Sequence, residues 1–252
     1  MSRQLCIDDP LAEWKLCHFL LAGMKEAGFN PQKETVILCI GSDRSTGDSL
    51  GPLVGTYLSR FSLSEKRKIL GTLEQPVHAS NLLEALASIY GPVCSDAAAS
   101  CELPEKHGCR QRSSAPFVIA VDACLGKPEK VGWITVAPGP LRPGAGVNKS
   151  LPPVGDLHIS GTVNVGGFME FFVLQSTRLS LVMRMAEQIA RGIRLALKNY
   201  ERLPCFSLSG VPASASASAP AAAPAALSAA PPAPALRNSL ITVSSGVGPK
   251  ET

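Results

Sequence analysis

The chain has 252 residues, with 24 Lys and Arg against 20 Asp and Glu and a formal net charge of +4. No segment is dominated by Lys or Arg, so the basic stripe or aromatic stacking platform of a nucleic-acid binder is missing and nucleic acid is not an expected partner. The first 24 residues carry Asp8, Asp9, Glu13 and Lys15 within their apolar stretch, and the apolar run 168–174 is short and contains Glu170. Those patterns fit neither a signal peptide nor a membrane span, and a cytoplasmic protein without membrane contact is expected.

In chain order, residues 11–27 have helical spacing, with Leu16, Phe19, Leu20 and Met24 on one side and Gly28 as the stop. The run Val36-Ile37-Leu38-Cys39-Ile40 has the length and β-branched content of a strand buried on both faces. It opens into Gly41-Ser42-Asp43-Arg44-Ser45-Thr46-Gly47-Asp48-Ser49-Leu50-Gly51-Pro52, a loop dense in Gly, Ser, Thr and Asp. Residues 50–61 read as a helix with Pro52 in its first turn, where proline is tolerated. Residues 68–73 suggest a short strand, and 80–89 a helix with Ser80 as N-cap and Leu82, Leu83, Leu86 and Ile89 as its apolar stripe.

Residues 91–116 lack periodicity and read as a surface insertion. Cys94, Cys101, His107 and Cys109 cluster there, but their spacing matches no closed zinc pattern. The eight cysteines (6, 17, 39, 94, 101, 109, 124 and 205) include no CxxC pair, so free thiols are expected in a cytosolic chain. A second apolar run, Phe117-Val118-Ile119-Ala120-Val121, ends in Asp122-Ala123-Cys124-Leu125-Gly126. Residues 132–137 and 159–165 are further strand candidates, separated by a Pro/Gly loop over 138–155 that is too long for idle packing. Residues 168–175 form a short apolar helix. Residues 178–198 give the clearest helix, with Val182, Met185, Ala186, Ile189, Ile193 and Leu197 as its buried stripe. From 204 to 252 the composition collapses to Ala, Pro and Ser, too poor in large apolar residues for a core. The expected organisation is one domain over 1–203 and a disordered tail over 204–252.

Two aspartates stand out. Asp48 follows the first apolar run by a short loop and Asp122 directly follows the second, and ligand crevices of open α/β sheets lie beyond the carboxyl ends of the strands. If the two strands are neighbours, the carboxyls share a site in which both cannot easily ionise, the arrangement of a general acid and a general base. Phosphate binding by the loop is rejected: it has neither the Lys-Ser/Thr of a Walker loop nor a GxGxxG pattern, and its aspartates repel an anion. The plain alternatives are helix capping for Asp48 and an Asx turn for Asp43.

The loop 41–52, Val121-Asp122-Ala123-Cys124-Leu125-Gly126, and Gly144-Ala145-Gly146-Val147-Asn148-Lys149 together resemble the YyaC family of sporulation proteins over residues 33–200. That family is similar to the germination protease of spore-forming bacteria and, more distantly, to hydrogenase maturation proteases. The resemblance implies a three-layer αβα sandwich with a central, mostly parallel sheet (phosphorylase/hydrolase-like), and it places the catalytic carboxylates at Asp48 and Asp122. Gly41, Asp43, Arg44, Gly47, Gly51, Asn148 and Lys149 then form the supporting loops, with Asp43 and Arg44 tuning the pair and Asn148 and Lys149 holding substrate or an oxyanion. The metal-binding Glu and Asp of the maturation proteases would fall at Asp48 and Asp122, and His158 is the weak candidate for their His. No cofactor and no metal is expected. The implied partner is a protein or peptide substrate, small acid-soluble spore proteins among them, in the forespore or spore core; a homo-oligomer is left open. The rival readings are a non-catalytic sporulation protein that binds a partner on the same fold, and a metal-dependent maturation-type protease.

Overall fold

The computed structural model describes residues 1–91, 115–144, 151–167 and 169–202. Its elements are β1 (Arg3–Cys6), α1 (Ala12–Glu26), β2 (Thr35–Cys39), α2 (Leu50–Ser59), β3 (Arg67–Leu70), α3 (Leu82–Tyr90), β4 (Phe117–Gly126), β5 (Trp133–Pro138), β6 (Leu157–Val165), α4 (Glu170–Gln175) and α5 (Leu179–Arg202). The strands form one sheet in the order β1-β5-β6-β4-β2-β3. β6, β4, β2 and β3 run parallel, while β5 pairs antiparallel with β6 and β1 antiparallel with β5. Every residue of β2 is buried, as the unbroken apolar run requires of a strand covered on both faces.

The period-two alternation of the strands divides the interior into two cores. Ile37, Cys39, Ile119 and Val121 face a large cluster with α1, α2 and α5, whereas Val36, Leu38, Val118 and Ala120 face a smaller one with Leu82, Leu86 and Ile89 of α3. Helices therefore cover both faces and the architecture is an αβα sandwich with a mostly parallel sheet, as expected. Leu16, Leu20 and Met24 of α1 are fully buried, each contributing about 1.5–3 kcal/mol of transfer free energy. All six stripe residues of α5 are buried, and its arginines lie outside: Arg184 pairs with Asp8 at 3.0 Å and Arg191 with Glu187 at 2.6 Å.

Two local expectations are corrected. The second apolar run does not end at Asp122; β4 continues to Gly126, because β6 supplies partners for residues 122–126. The helix expected from residue 80 starts at Leu82, preceded by Asn81 and not capped by Ser80. Asn81 is occupied by its own loop: its Oδ1 accepts the His78 N–H at 2.8 Å and its Nδ2 donates to the Pro76 carbonyl at 3.0 Å. Strand β1 is an addition, a four-residue edge strand whose partner β5 lies more than a hundred residues away. The cluster Cys94, Cys101, His107 and Cys109, the loop residues Asn148 and Lys149, and the tail 204–252 fall outside the described residues. Among the described residues no helix is long and apolar enough to cross a membrane, and Cys6, Cys17, Cys39 and Cys124 are free thiols.

Candidate functional site

The site begins where neighbouring parallel strands stop at different heights. Val121 of β4 is paired with Cys39, the last residue of β2, and the Ile40 N–H donates to the Val121 carbonyl at 2.7 Å. Asp122 is thus the first β4 residue beyond the end of β2. On its other side it is in register with Ser160 of β6. It remains only 8 % exposed, and its Oδ1 accepts the Ala123 N–H at 2.8 Å. Burial, then the nearby charge of Asp48, push its carboxyl well above the usual carboxylate range, opposed by the Ala123 hydrogen bond.

Asp48 is half-buried in a single 3-10 turn, Gly47–Ser49, that leads from β2 into α2. Backbone contact folds this segment back onto the strand end. The Ser42 N–H donates to the Asp48 carbonyl at 3.1 Å, and a Cβ on Gly41 would stand 2.0 Å from that oxygen. Gly41 also has φ +143°, which side chains rarely adopt. A Cβ on Gly51 would stand 2.1 Å from the Ile40 carbonyl. The glycines of the motif therefore bring Asp48 beside the end of β2, next to Asp122. Ser49 Oγ ties the turn internally by donating to the Thr46 carbonyl at 2.7 Å. Asp43 and Arg44 are exposed on the outer part of the loop, and neither contributes to the displacement of Asp122.

Behind the turn, α4 acts as a wedge. A Cβ on Gly47 would meet Leu174 Cδ2 at 2.7 Å and Thr177 Oγ1 at 2.9 Å. Asn164 Nδ2 holds that corner by donating to the Val173 carbonyl and to Thr177 Oγ1, each at 3.1 Å. Sequence reasoning passed over Asn164, because its place depends on an irregularity that no local pattern shows. In β6 the alternate polar residues His158, Ser160 and Thr162 stand opposite Ala120, Asp122 and Cys124 of β4, but the register slips after Cys124 and pairs Asn164 with Leu125, which takes Asn164 out of that row. Cys124 Sγ lies 3.4 Å from Thr162 Oγ1. Burial pushes its thiol up, Asp122 adds to that, and Thr162 and Ser160 act against it. A thiol so displaced is protonated at neutral pH and is no thiolate nucleophile.

His158 Nδ1 is 2.9 Å from the Gly139 carbonyl, a bond that fixes the ring to the loop after β5. Among the described residues no three His, Cys, Asp or Glu side chains come together as metal ligands. The donor set around Asp122 consists of one buried carboxyl, a neighbouring carboxylate, hydroxyls and a protonated thiol.

The family described as "Protein of unknown function (DUF1256)" matches residues 4–92 and 106–192. The protein printed as "Uncharacterized protein YyaC" from Bacillus subtilis (strain 168) is 46 % identical over 187 residues, covering 74 % of this chain and 80 % of that protein. A [NiFe] hydrogenase maturation protease, HycI from Thermococcus kodakarensis KOD1, has a crystal structure that superposes with a TM-score of 0.42 at 17 % identity, covering 71 % of this chain and 99 % of that one. With the loop 41–52 and the Asp122 strand both inside the matched residues, the chain belongs to the DUF1256 family.

Proposed function

We propose that the chain is an endopeptidase-like hydrolase in which Asp48 and Asp122 form the acid–base pair, acting on a protein or peptide of the spore, in the cytoplasm of the spore core. The observation that carries this reading is a buried carboxyl on a strand that outruns its neighbour, displaced toward its protonated form by burial and by a second aspartate. Titratable groups displaced in this way cluster at functional sites. Asp122 enters the reaction as the acid. Its Oδ1 is engaged by the Ala123 N–H, which leaves Oδ2 to carry the proton.

In the proposed reaction the Asp48 carboxylate removes a proton from water as the water oxygen bonds to the carbonyl carbon, and Asp122 protonates the carbonyl oxygen. The tetrahedral diol collapses by returning its hydroxyl proton to Asp122. Asp48 then delivers its proton to the departing nitrogen, the C–N bond breaks, and the pair is back in its starting state. Asn148 and Lys149 keep the supporting role that the family resemblance implies for them.

The test is cleavage of small acid-soluble spore proteins by wild type, Asp48→Asn and Asp122→Asn, followed by mass spectrometry with and without chelator. Loss of cleavage in both variants at retained melting temperature is expected. A second reading has an observation of its own. Met169, Phe171, Phe172, Leu179 and Met183 are exposed around α4, with Phe171 60 % and Phe172 57 % accessible, and patches of this kind mark protein contacts. Wild type that binds spore protein without cleaving it, indifferent to both substitutions, would favour a binding protein. Chelator-sensitive cleavage restored by nickel or zinc would favour the metal-dependent route, with His158 the first residue to replace.

A further inference from the structure

Two strands from Asp122, the described part of the sheet ends at β3. β3 is the last strand on that side and no described strand lies beyond it. The Thr35 N–H donates to the Lys66 carbonyl at 2.8 Å while Thr35 is in register with Arg67. By the alternation of a parallel ladder, residue 68 points its backbone groups at β2 and Ile69 points its N–H and C=O outward. Outside that edge lies a groove of about 490 Å³, between β3 and α3, lined among others by Ile69, Gly71, His78, Asn81 and Glu84. Glu84 is exposed and, among the described residues, is the only Asp, Glu, Lys or Arg of the lining.

The groove is continuous with the candidate site. Val77, on its wall, forms a parallel bridge with Ile40, and its carbonyl accepts the Gly41 N–H at 2.8 Å. Gly41 in turn packs against the Asp48 carbonyl.

We infer that this groove binds the substrate: an extended peptide segment adds to the outer edge of β3 through the Ile69 backbone and places a basic side chain against Glu84. This inference rests on the peptidase reading and names the substrate conformation and charge that the same site takes. Edge addition uses main-chain hydrogen bonds for affinity and side-chain contacts for selection. A strand added outside β3 lies three strand spacings from β4, about 14 Å, and an extended chain covers about 3.4 Å per residue. Ile69 is level with Ile119, three residues or about 10 Å short of Asp122 along the strands, so the residue bound at Ile69 is at least about five residues from the bond held between the carboxyls.

The experiment uses the full chain carrying Asp122→Asn, so that nothing is cleaved. The probes are a fluorescein-labelled, alternating valine–threonine octapeptide with one central lysine and its glutamate counterpart, read by fluorescence anisotropy. The lysine peptide should bind more tightly, and adding Glu84→Lys should reverse the preference by at least about threefold, the scale of an exposed ion pair made and then inverted. Ile69→Pro, which deletes the outward N–H, should weaken both peptides alike, while Glu84→Gln on the helix surface guards against misfolding as the cause. Equal binding of the two peptides in every variant, or no binding at all, overturns the inference. If spore protein is cleaved by wild type but Glu84→Lys leaves the lysine preference unmoved, the groove assignment fails and the acid–base pair stands. If the preference reverses while wild type cleaves nothing, the groove stands and the acid–base reading fails.

Discussion

Asp122→Asn should make the protein more stable, and more so as pH rises. In the unfolded chain this carboxyl titrates near its ordinary value of about 3.9. In the folded chain burial and Asp48 hold the neutral form well above that. A group whose folded value is raised contributes stability that is complete below the unfolded value and is lost as pH rises through the folded one. Asparagine copies the neutral form, keeps an oxygen for the Ala123 N–H at 2.8 Å, and never ionises. At about pH 3 the variant and wild type should therefore melt together, and above the folded value the variant should lead. Relief of an active-site group of this kind is worth about 0.5–2 kcal/mol. For a domain of this size that is a rise of about 1–8 °C in melting temperature, at about 2–4 °C per kcal/mol. Scanning calorimetry from about pH 3 to pH 9 would measure it. A variant that is less stable than wild type at the alkaline end, or a difference that does not change with pH, would refute a buried neutral acid at this position.

The remaining predictions test the frame that holds the pair. Gly51→Ala places a Cβ 2.1 Å from the Ile40 carbonyl and should cost about 1–3 kcal/mol, measured by urea unfolding, because backbone must move to admit it. Gly47→Ala meets mainly side chains, Leu174 Cδ2 at 2.7 Å and Thr177 Oγ1 at 2.9 Å. It should shift the Asp48 turn outward and lower the titration point of Asp122, followed by carbon NMR of the carboxyls, since one of the two causes of its displacement recedes. Removing residues 204–252 should leave the melting temperature within about 2 °C of the full chain, as an Ala/Pro/Ser segment brings little to a core.

The two long buried runs were legible because a strand covered on both faces leaves little room for polar residues, and both became central strands of the sheet. The α5 stripe was legible for the same reason at helical period. β1 was not, since Arg3–Cys6 is a four-residue edge strand with mixed burial, held by a partner remote in the chain. The end of β4 was misjudged because Asp122 reads as a terminator after five apolar residues. What prolongs the strand is β6, a non-local partner that no local pattern reveals. The carboxylates were visible as residue types in a motif. The role of Gly41 and Gly51 was not, because a glycine's necessity lies in the carbonyl that would collide with its missing Cβ.

That staggered ending of the strands accounts for how Asp122 can be buried and still face a partner carboxylate. Were β2 to continue beside β4, the ladder would extend past Cys39 and the backbone of β2 would fill the space beside Asp122. Instead Ile40 makes its last bond to Val121, Gly41 turns away, and the chain returns only at Asp48. The opening is one strand wide, bounded by β4 and its partner β6 on one side and by Val77, next to Gly41, on the other. A narrow recess of that kind limits solvation of Asp122, which favours its proton, while Asp48 on the half-exposed turn remains reachable by water. The asymmetry in burial between the two aspartates thus follows from where β2 stops, and it is what the proposed reaction uses when it gives the deeper one the role of acid and the shallower one the role of base.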